Sequence, residues 1–227
     1  MHIGILQCGH TPPEVAAEHG DFDDLFLRLF EGHGLSFTTW NVVDMVFPET
    51  IHSAEGWLIT GSKHGAYEDH AFIPPLEAFI RDAHAALKPM VGICFGHQII
   101  AQALGGRVEK FSGGWAIGRH GYVIDGDDVH LNAWHQDQVV ERPKEARVVG
   151  QSPFCANAAM TYGDHIMTVQ PHPEIGNDVL ATYLATRGAD PIFPRDKITM
   201  AQEMLRSMGD EPRIAARLAR FLKEARP

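Results

Sequence analysis

Cysteine is scarce in this chain: three occur in 227 residues, Cys8, Cys94 and Cys155, an odd count with no CxxC pair. That excludes a disulfide framework and a thiolate zinc site. Positive charge is also in short supply. Nineteen Lys and Arg stand against 29 Asp and Glu, for a formal charge of −10. An acidic field repels phosphate backbones and anionic lipid surfaces, so neither nucleic acid nor a membrane surface is the expected partner. No apolar run approaches the ~20 residues that cross a bilayer. Residues 1–6, Met-His-Ile-Gly-Ile-Leu, open directly on an apolar run without a basic n-region or a cleavage-type site. The cytoplasm is therefore the expected compartment. Repeats, low-complexity tracts, linkers and long like-charge blocks are missing too, and 44% of the residues are hydrophobic, which excludes disorder as the main state. The length suits one domain over 1–227, ending in a helical tail over about 190–227.

What is present alternates. Apolar runs at 3–8, 36–43, 56–60 and 90–93 read as strands. Between them lie helical patterns. Residues 21–32 carry Phe22, Leu25, Phe26, Leu29 and Phe30 on one stripe, and 74–87 carry Leu76, Phe79, Ile80 and Ala83 on one face behind Pro74-Pro75. A third helix runs from about 95 to 104 and is ended by Gly105-Gly106. Strands separated by helices predict βαβ units and a parallel sheet, whose ligands sit beyond the strands' carboxyl ends. From 107 to about 169 short alternating stretches predict an antiparallel layer, and helix returns from about 177. An αβα arrangement accounts for this order.

The most informative stretch is Gly92-Ile93-Cys94-Phe95-Gly96-His97-Gln98, at the end of a strand and the start of a helix. A cysteine between glycines at i−2 and i+2 is the thiol form of a nucleophile elbow. The tight turn strains the cysteine backbone, and the glycines let neighbouring chain approach. A helix N-terminus favours thiolate, and the N–H of Phe95 is placed to bind a developing oxyanion. Against this stands the common fate of a free cysteine, a small buried hydrophobe. A thiol nucleophile needs a base and an orienter. Among 14 histidines one context stands out, Gln170-Pro171-His172-Pro173-Glu174 after the strand 166–170. Flanking prolines predict extended chain, in which His172 and Glu174 face the same side. The carboxylate would hold one ring nitrogen and leave the other to the thiol.

These two motifs together resemble the class I glutamine amidotransferases, in which a Cys-His-Glu triad removes the γ-amide of glutamine. The resemblance spans roughly residues 3–186. It implies a three-layer αβα sandwich around a mostly parallel sheet, with a small antiparallel layer, and assigns Cys94, His172 and Glu174 to the triad. It assigns the second oxyanion amide to Gly61 in Thr60-Gly61-Ser62-Lys63-His64-Gly65-Ala66-Tyr67, a loop that is not a Walker A motif. Many members carry Gly-Gly-Pro there. The Gly-Ser-Lys-His form, with Ser62 near the substrate, is more similar to a free-standing branch that includes γ-glutamyl peptidases, and the amidotransferase domain of GMP synthase is a further likeness. Gly114 and Trp115, within Gly113–Gly118, would line the glutamine pocket. Gln98, one helical turn past Cys94, would hold substrate. Asp137, in a segment similar to the family's His-x-Asp-x-Val, would bind the substrate ammonium or a neighbouring loop.

No cofactor is implied. His97, His120 and His135 lack the short regular spacing of a metal motif, and no metal is assigned. No nucleotide-binding motif accompanies the amidotransferase-like region, so a synthetase activity on this chain is not expected. Three accounts stay open: hydrolysis of glutamine with ammonia passed to a separate subunit, a stand-alone glutaminase or γ-glutamyl peptidase, or a non-catalytic glutamine-binding regulatory module. Cysteine elbows also occur in peptidase-like and chaperone-like proteins of related architecture, which typically lack the His-Pro-Glu segment.

Overall fold

The computed structural model describes residues 1–225, so the last two positions of the expected helical tail lie outside the described residues. Eleven strands are described: β1 (His2–Leu6), β2 (Ser36–Trp40), β3 (Gly56–Ile59), β4 (Met90–Ile93), β5 (Arg107–Lys110), β6 (Ala116–Ile124), β7 (Asp127–His135), β8 (Asp137–Glu141), β9 (Ala146–Gln151), β10 (Ala159–Tyr162) and β11 (Ile166–Val169). Seven helices accompany them: α1 (Pro13–His19), α2 (Phe22–Leu29), α3 (Ile73–Ala85), α4 (Phe95–Ala103), α5 (Asn177–Arg187), α6 (Arg195–Met204) and α7 (Glu211–Glu224). Nine strands form one sheet in the order β2-β1-β3-β4-β11-β10-β9-β6-β7, and β5 pairs with β8 in a second sheet. The first five strands run parallel; pairing turns antiparallel from β10 outward. The antiparallel stretches read from the sequence thus divide between an extension of the main sheet and the separate two-stranded one.

Side-chain alternation builds the layers. In β3, Trp57 and Ile59 face the helices α3 and α4, packing with Leu76, Ile80, Phe95 and Ile99. Leu58 faces the other way, where Ile5, Val91 and Ile93 meet Phe26 of α2 and Leu218 and Leu222 of α7. Residues of β1, β3, β4 and β11 are almost all fully buried on both faces, as parallel strands under two helical layers must be. Each large side chain so buried stabilises the fold by roughly 1.5–3 kcal/mol. A third cluster, with Ile117, Val179, Tyr183, Phe193 and Ile198, fastens α5 and α6 over the antiparallel end. There the guanidinium of Arg119 in β6 donates to Glu211 at 2.6 Å and pairs with Asn177, tying α7 and α5 to the sheet. The central strands β4 and β11 are neighbours in register, Ile93 opposite Val169. Their carboxyl ends therefore deliver Cys94 and the segment from Gln170 to the same edge. Among the described residues no helix is long and apolar enough to cross a membrane.

Candidate active site

Cys94 sits between β4 and α4 with φ 52° and ψ −102°, a backbone conformation that side chains rarely occupy. Hydrogen bonds on both sides hold it there. Its N–H donates to the Val169 carbonyl of β11 at 2.9 Å, and the Gly96 N–H donates to the Thr60 carbonyl after β3 at 3.1 Å. The flanking glycines are required by close approach. A Cβ on Gly96 would lie 2.2 Å from the Ile59 carbonyl oxygen, and one on Gly92 would lie 2.6 Å from the Gly96 oxygen. The Phe95 ring anchors the first helical turn in the core beside Phe72, 6.0 Å between centroids. Its N–H stands at the first helical position, where no carbonyl within the helix lies four residues back.

His172 reaches the thiol from β11. Its N–H donates to the Asn132 carbonyl of β7 at 2.9 Å, and Asn132 Nδ2 donates to the Ile175 carbonyl at 2.8 Å, so both ends of the segment are held. His172 Nδ1 lies 2.7 Å from Glu174 Oε1, and the two side chains are 5% and 0% exposed. The pair meets on a turn rather than on extended chain. The Ile175 N–H bonds back to the His172 carbonyl at 3.3 Å, and this i to i+3 closure brings the carboxylate under the ring. Burial pushes the His172 imidazole down, but the adjacent Cys94 sulfur and Glu174 carboxylate outweigh it and raise its pKa well above the ordinary value. That direction favours the imidazolium form of His172. Glu174 Oε2 is buried with no hydrogen-bond partner among the described residues.

Gly61 lies against the same ring. A Cβ there would stand 3.1 Å from His172 Cε1. The Thr60 hydroxyl donates to the Gly61 carbonyl at 2.9 Å and accepts from the Cys8 N–H at 3.0 Å, which fixes the peptide after β3. No backbone acceptor among the described residues takes up the Gly61 N–H. Gln98 is placed behind the thiol: its amide donates to Gln170 Oε1 at 3.1 Å and to the Asp137 carbonyl at 2.8 Å. Gln170, fully buried, in turn directs Nε2 at Cys94 Sγ, 3.5 Å away. Gln170 stands in the motif that marked His172, yet only folding reveals that its side chain meets a sulfur 76 residues earlier. Asn132 is a second residue that the sequence did not single out for the site.

Asp137 faces the loop after β3. Tyr67 donates its hydroxyl to Asp137 Oδ1 at 3.2 Å, and burial raises the Asp137 carboxyl above its usual range. The Ser62 hydroxyl accepts the His64 N–H at 3.1 Å. Gly114 has φ +87° with open space about it, and Trp115 packs edge-on against Phe193 at 4.8 Å. No hydrogen bond or ring contact joins these last two to Cys94, His172 or Glu174 among the described residues. His97 and His135 are buried and held neutral by desolvation, each pushed down to about 3. A surface cleft of about 450 Å³ lined by Gly121, Tyr122, Asp128, His130 and Ser152 contains none of the candidate residues.

Comparison with known proteins places this chain in a family. Residues 35–187 match the model of the family described as glutamine amidotransferase class-I. The chain is 31% identical over 180 residues to γ-glutamyl peptidase 2 of Arabidopsis thaliana, covering 73% of each protein. It is 31% identical over 144 residues to the glutamine-hydrolysing GMP synthase of Aeropyrum pernix, covering 57% of this chain and 28% of the synthase. The crystal structure of a glutamine amidotransferase from Methylobacillus flagellatus superposes with a TM-score of 0.72 at 23% identity, covering 98% of this chain and 91% of that one. Two thirds of the sequence, from β2 through the end of α5, lies inside the matched region, and the chain belongs to the class I glutamine amidotransferase family.

Proposed function

We propose that this protein hydrolyses the γ-glutamyl amide of glutamine through a thioester on Cys94, releasing ammonia and then glutamate. Cys94 thiolate adds to the amide carbon, and the N–H groups of Phe95 and Gly61 receive the oxyanion, each worth on the order of 3–4 kcal/mol in the transition state. His172, imidazolium at that point, gives its proton to the leaving nitrogen. It then takes a proton from water, which attacks the thioester and expels the thiol. Glu174 holds Nδ1 and stabilises the charged ring. The reading rests on one observation above the others: a strained cysteine at a helix N-terminus has an imidazole beside it, and that imidazole carries a buried carboxylate 2.7 Å from its other side. Purified chain should release glutamate from glutamine, and Cys94→Ala should lose both turnover and covalent labelling by a γ-glutamyl electrophile. Full turnover by that variant refutes the proposal.

A second substrate class is favoured by coverage. The likeness to γ-glutamyl peptidase 2 extends over 73% of both proteins, against 28% of the synthase. In this reading the same steps cleave a γ-glutamyl peptide, the leaving group is an amino acid or peptide amine, and no ammonia-accepting subunit is involved. Mass spectrometry of products from glutamine and from a panel of γ-glutamyl dipeptides separates the two. Faster glutamate release from the dipeptides assigns the peptidase role, whereas preference for glutamine assigns the glutamine-hydrolysing role.

A further inference from the structure

The loop between Gly61 and α3 carries a group of side chains that the reaction does not use. Among the described residues, His64, Glu68 and His70 place one ligand atom each within 4.8 Å of one another. Glu68 Oε2 lies 2.8 Å from His70 Nε2 and 3.9 Å from His64 Nδ1. The two imidazoles lie against each other, centroids 4.0 Å apart and tilted by 56°. Buried Phe72 backs both rings, at 5.8 and 6.0 Å. The His64 ring makes no hydrogen bond among the described residues, and its ion-pair partner, the Glu68 carboxylate, stands 3.9 Å away. Two rings and one carboxylate, with ligand atoms this close together, offer a ready donor set for a single ion.

We propose that His64, Glu68 and His70 form a binding site for one divalent first-row transition-metal ion, of the zinc or cobalt type. Two imidazoles and a carboxylate are the donors such ions take, and softer or harder cations prefer thiolate or all-oxygen sets. Metal–ligand bonds of about 2.0–2.1 Å in a tetrahedron put ligand atoms roughly 3.3 Å apart. The present spacings bracket that figure, so side-chain rotations on the order of 1 Å complete the site. Short backbone bonds keep the three on one turn: the Glu68 N–H donates to the Gly65 carbonyl at 3.0 Å, and the His70 N–H to the Glu68 carbonyl at 3.1 Å. Side-chain exposures of 21%, 45% and 35% leave an entry path. Phe72 supplies the apolar backing that metal sites commonly show. Three protein ligands leave a fourth position to water. Tyr67, between the ligands, bonds Asp137, so a bound ion fastens the loop that begins at Gly61. The site stands apart from the proposed reaction and survives if that reaction is wrong.

The test is a titration with Co²⁺, read by its visible absorption and by equilibrium dialysis. It is run on the full chain and on Cys94→Ser, which removes the thiol as a competing ligand. The expected result is one equivalent bound by Cys94→Ser, with binding weakened at least about tenfold when His64→Ala and His70→Ala are added. Undiminished binding in that triple variant, or no binding by Cys94→Ser at millimolar Co²⁺, overturns the proposal. A readout without loop substitutions guards against misfolding. Paramagnetic Co²⁺ should shift or broaden the ring protons of His64 and His70 in the unsubstituted protein, and effects confined to other histidines overturn the assignment.

Discussion

Cys94 can be relieved of its strain without altering anything else that matters to folding. At φ 52° and ψ −102° its backbone lies in a region that residues with a Cβ rarely adopt. Conformations of this kind cost of order 1–3 kcal/mol. Cys94→Ala removes the sulfur and keeps the Cβ; Cys94→Gly removes both. The difference between the two variants isolates the strain. Glycine gives back about 0.5–1 kcal/mol through the greater freedom of its unfolded chain. The glycine variant should therefore be more stable than the alanine variant, by up to about 2.5 kcal/mol. At about 2–4 °C per kcal/mol for a chain of this size, its Tm should be higher, by up to about 10 °C. Calorimetric melts of both variants at one pH and one salt concentration decide the matter. A glycine variant that melts below the alanine variant shows that the elbow stores less strain than the glycine penalty of about 0.5–1 kcal/mol, and the strained-backbone account of Cys94 fails with it.

Glu174→Gln should lower kcat by roughly 10²–10⁴-fold with an unchanged circular dichroism spectrum, the range expected when acid–base catalysis is lost. Because Glu174 helps hold His172 above its ordinary value, the same variant should move the alkaline limb of kcat/KM to lower pH. The stability that charged His172 contributes is fully present below its unfolded value of about 6.5 and is lost as pH rises through the raised folded value, so Tm of the unsubstituted protein should lose that increment on the alkaline side. Gly96→Ala drives a Cβ into the Ile59 carbonyl, which no rotamer change relieves, and should cost about 3 kcal/mol or more in urea unfolding. Glu211→Ala strips the partner from a guanidinium whose side chain is 3% exposed, and the urea midpoint should fall by the equivalent of about 3 kcal/mol with an unchanged m-value.

The strands most easily read were those buried on both faces. Met90–Ile93 is uninterrupted apolar chain, and its limits in the structure match the sequence reading. Weakly buried elements left little trace. α1 buries only Val15, β5 exposes three of its four residues, and α6 buries only Ile198 and Ala201, so packing rather than patterning makes them. The strand read over 36–43 stops at Trp40, where a 3-10 turn begins at Val42. At the site, Cys94 and His172 were visible because glycine and proline punctuate them. Gln170, Asn132 and the bond from Tyr67 to Asp137 were not, because a hydrogen bond across 40 to 76 residues leaves no local pattern. The His64, Glu68 and His70 group passed unnoticed for another reason: a spacing of four and then two has meaning only once the loop's turn folds it together.

Adjacent placement of β4 and β11 makes the separation of sulfur and imidazole a property of interstrand spacing and of the short turn after β11 that Asn132 holds. Peripheral segments can then lengthen, shorten or change sequence while the reacting pair keeps its distance. Diversity of substrate among proteins of this architecture needs no redesign of the machinery at its centre. The same coupling ties the proposed chemistry to the sheet's fully buried middle, where β4 pairs with β11.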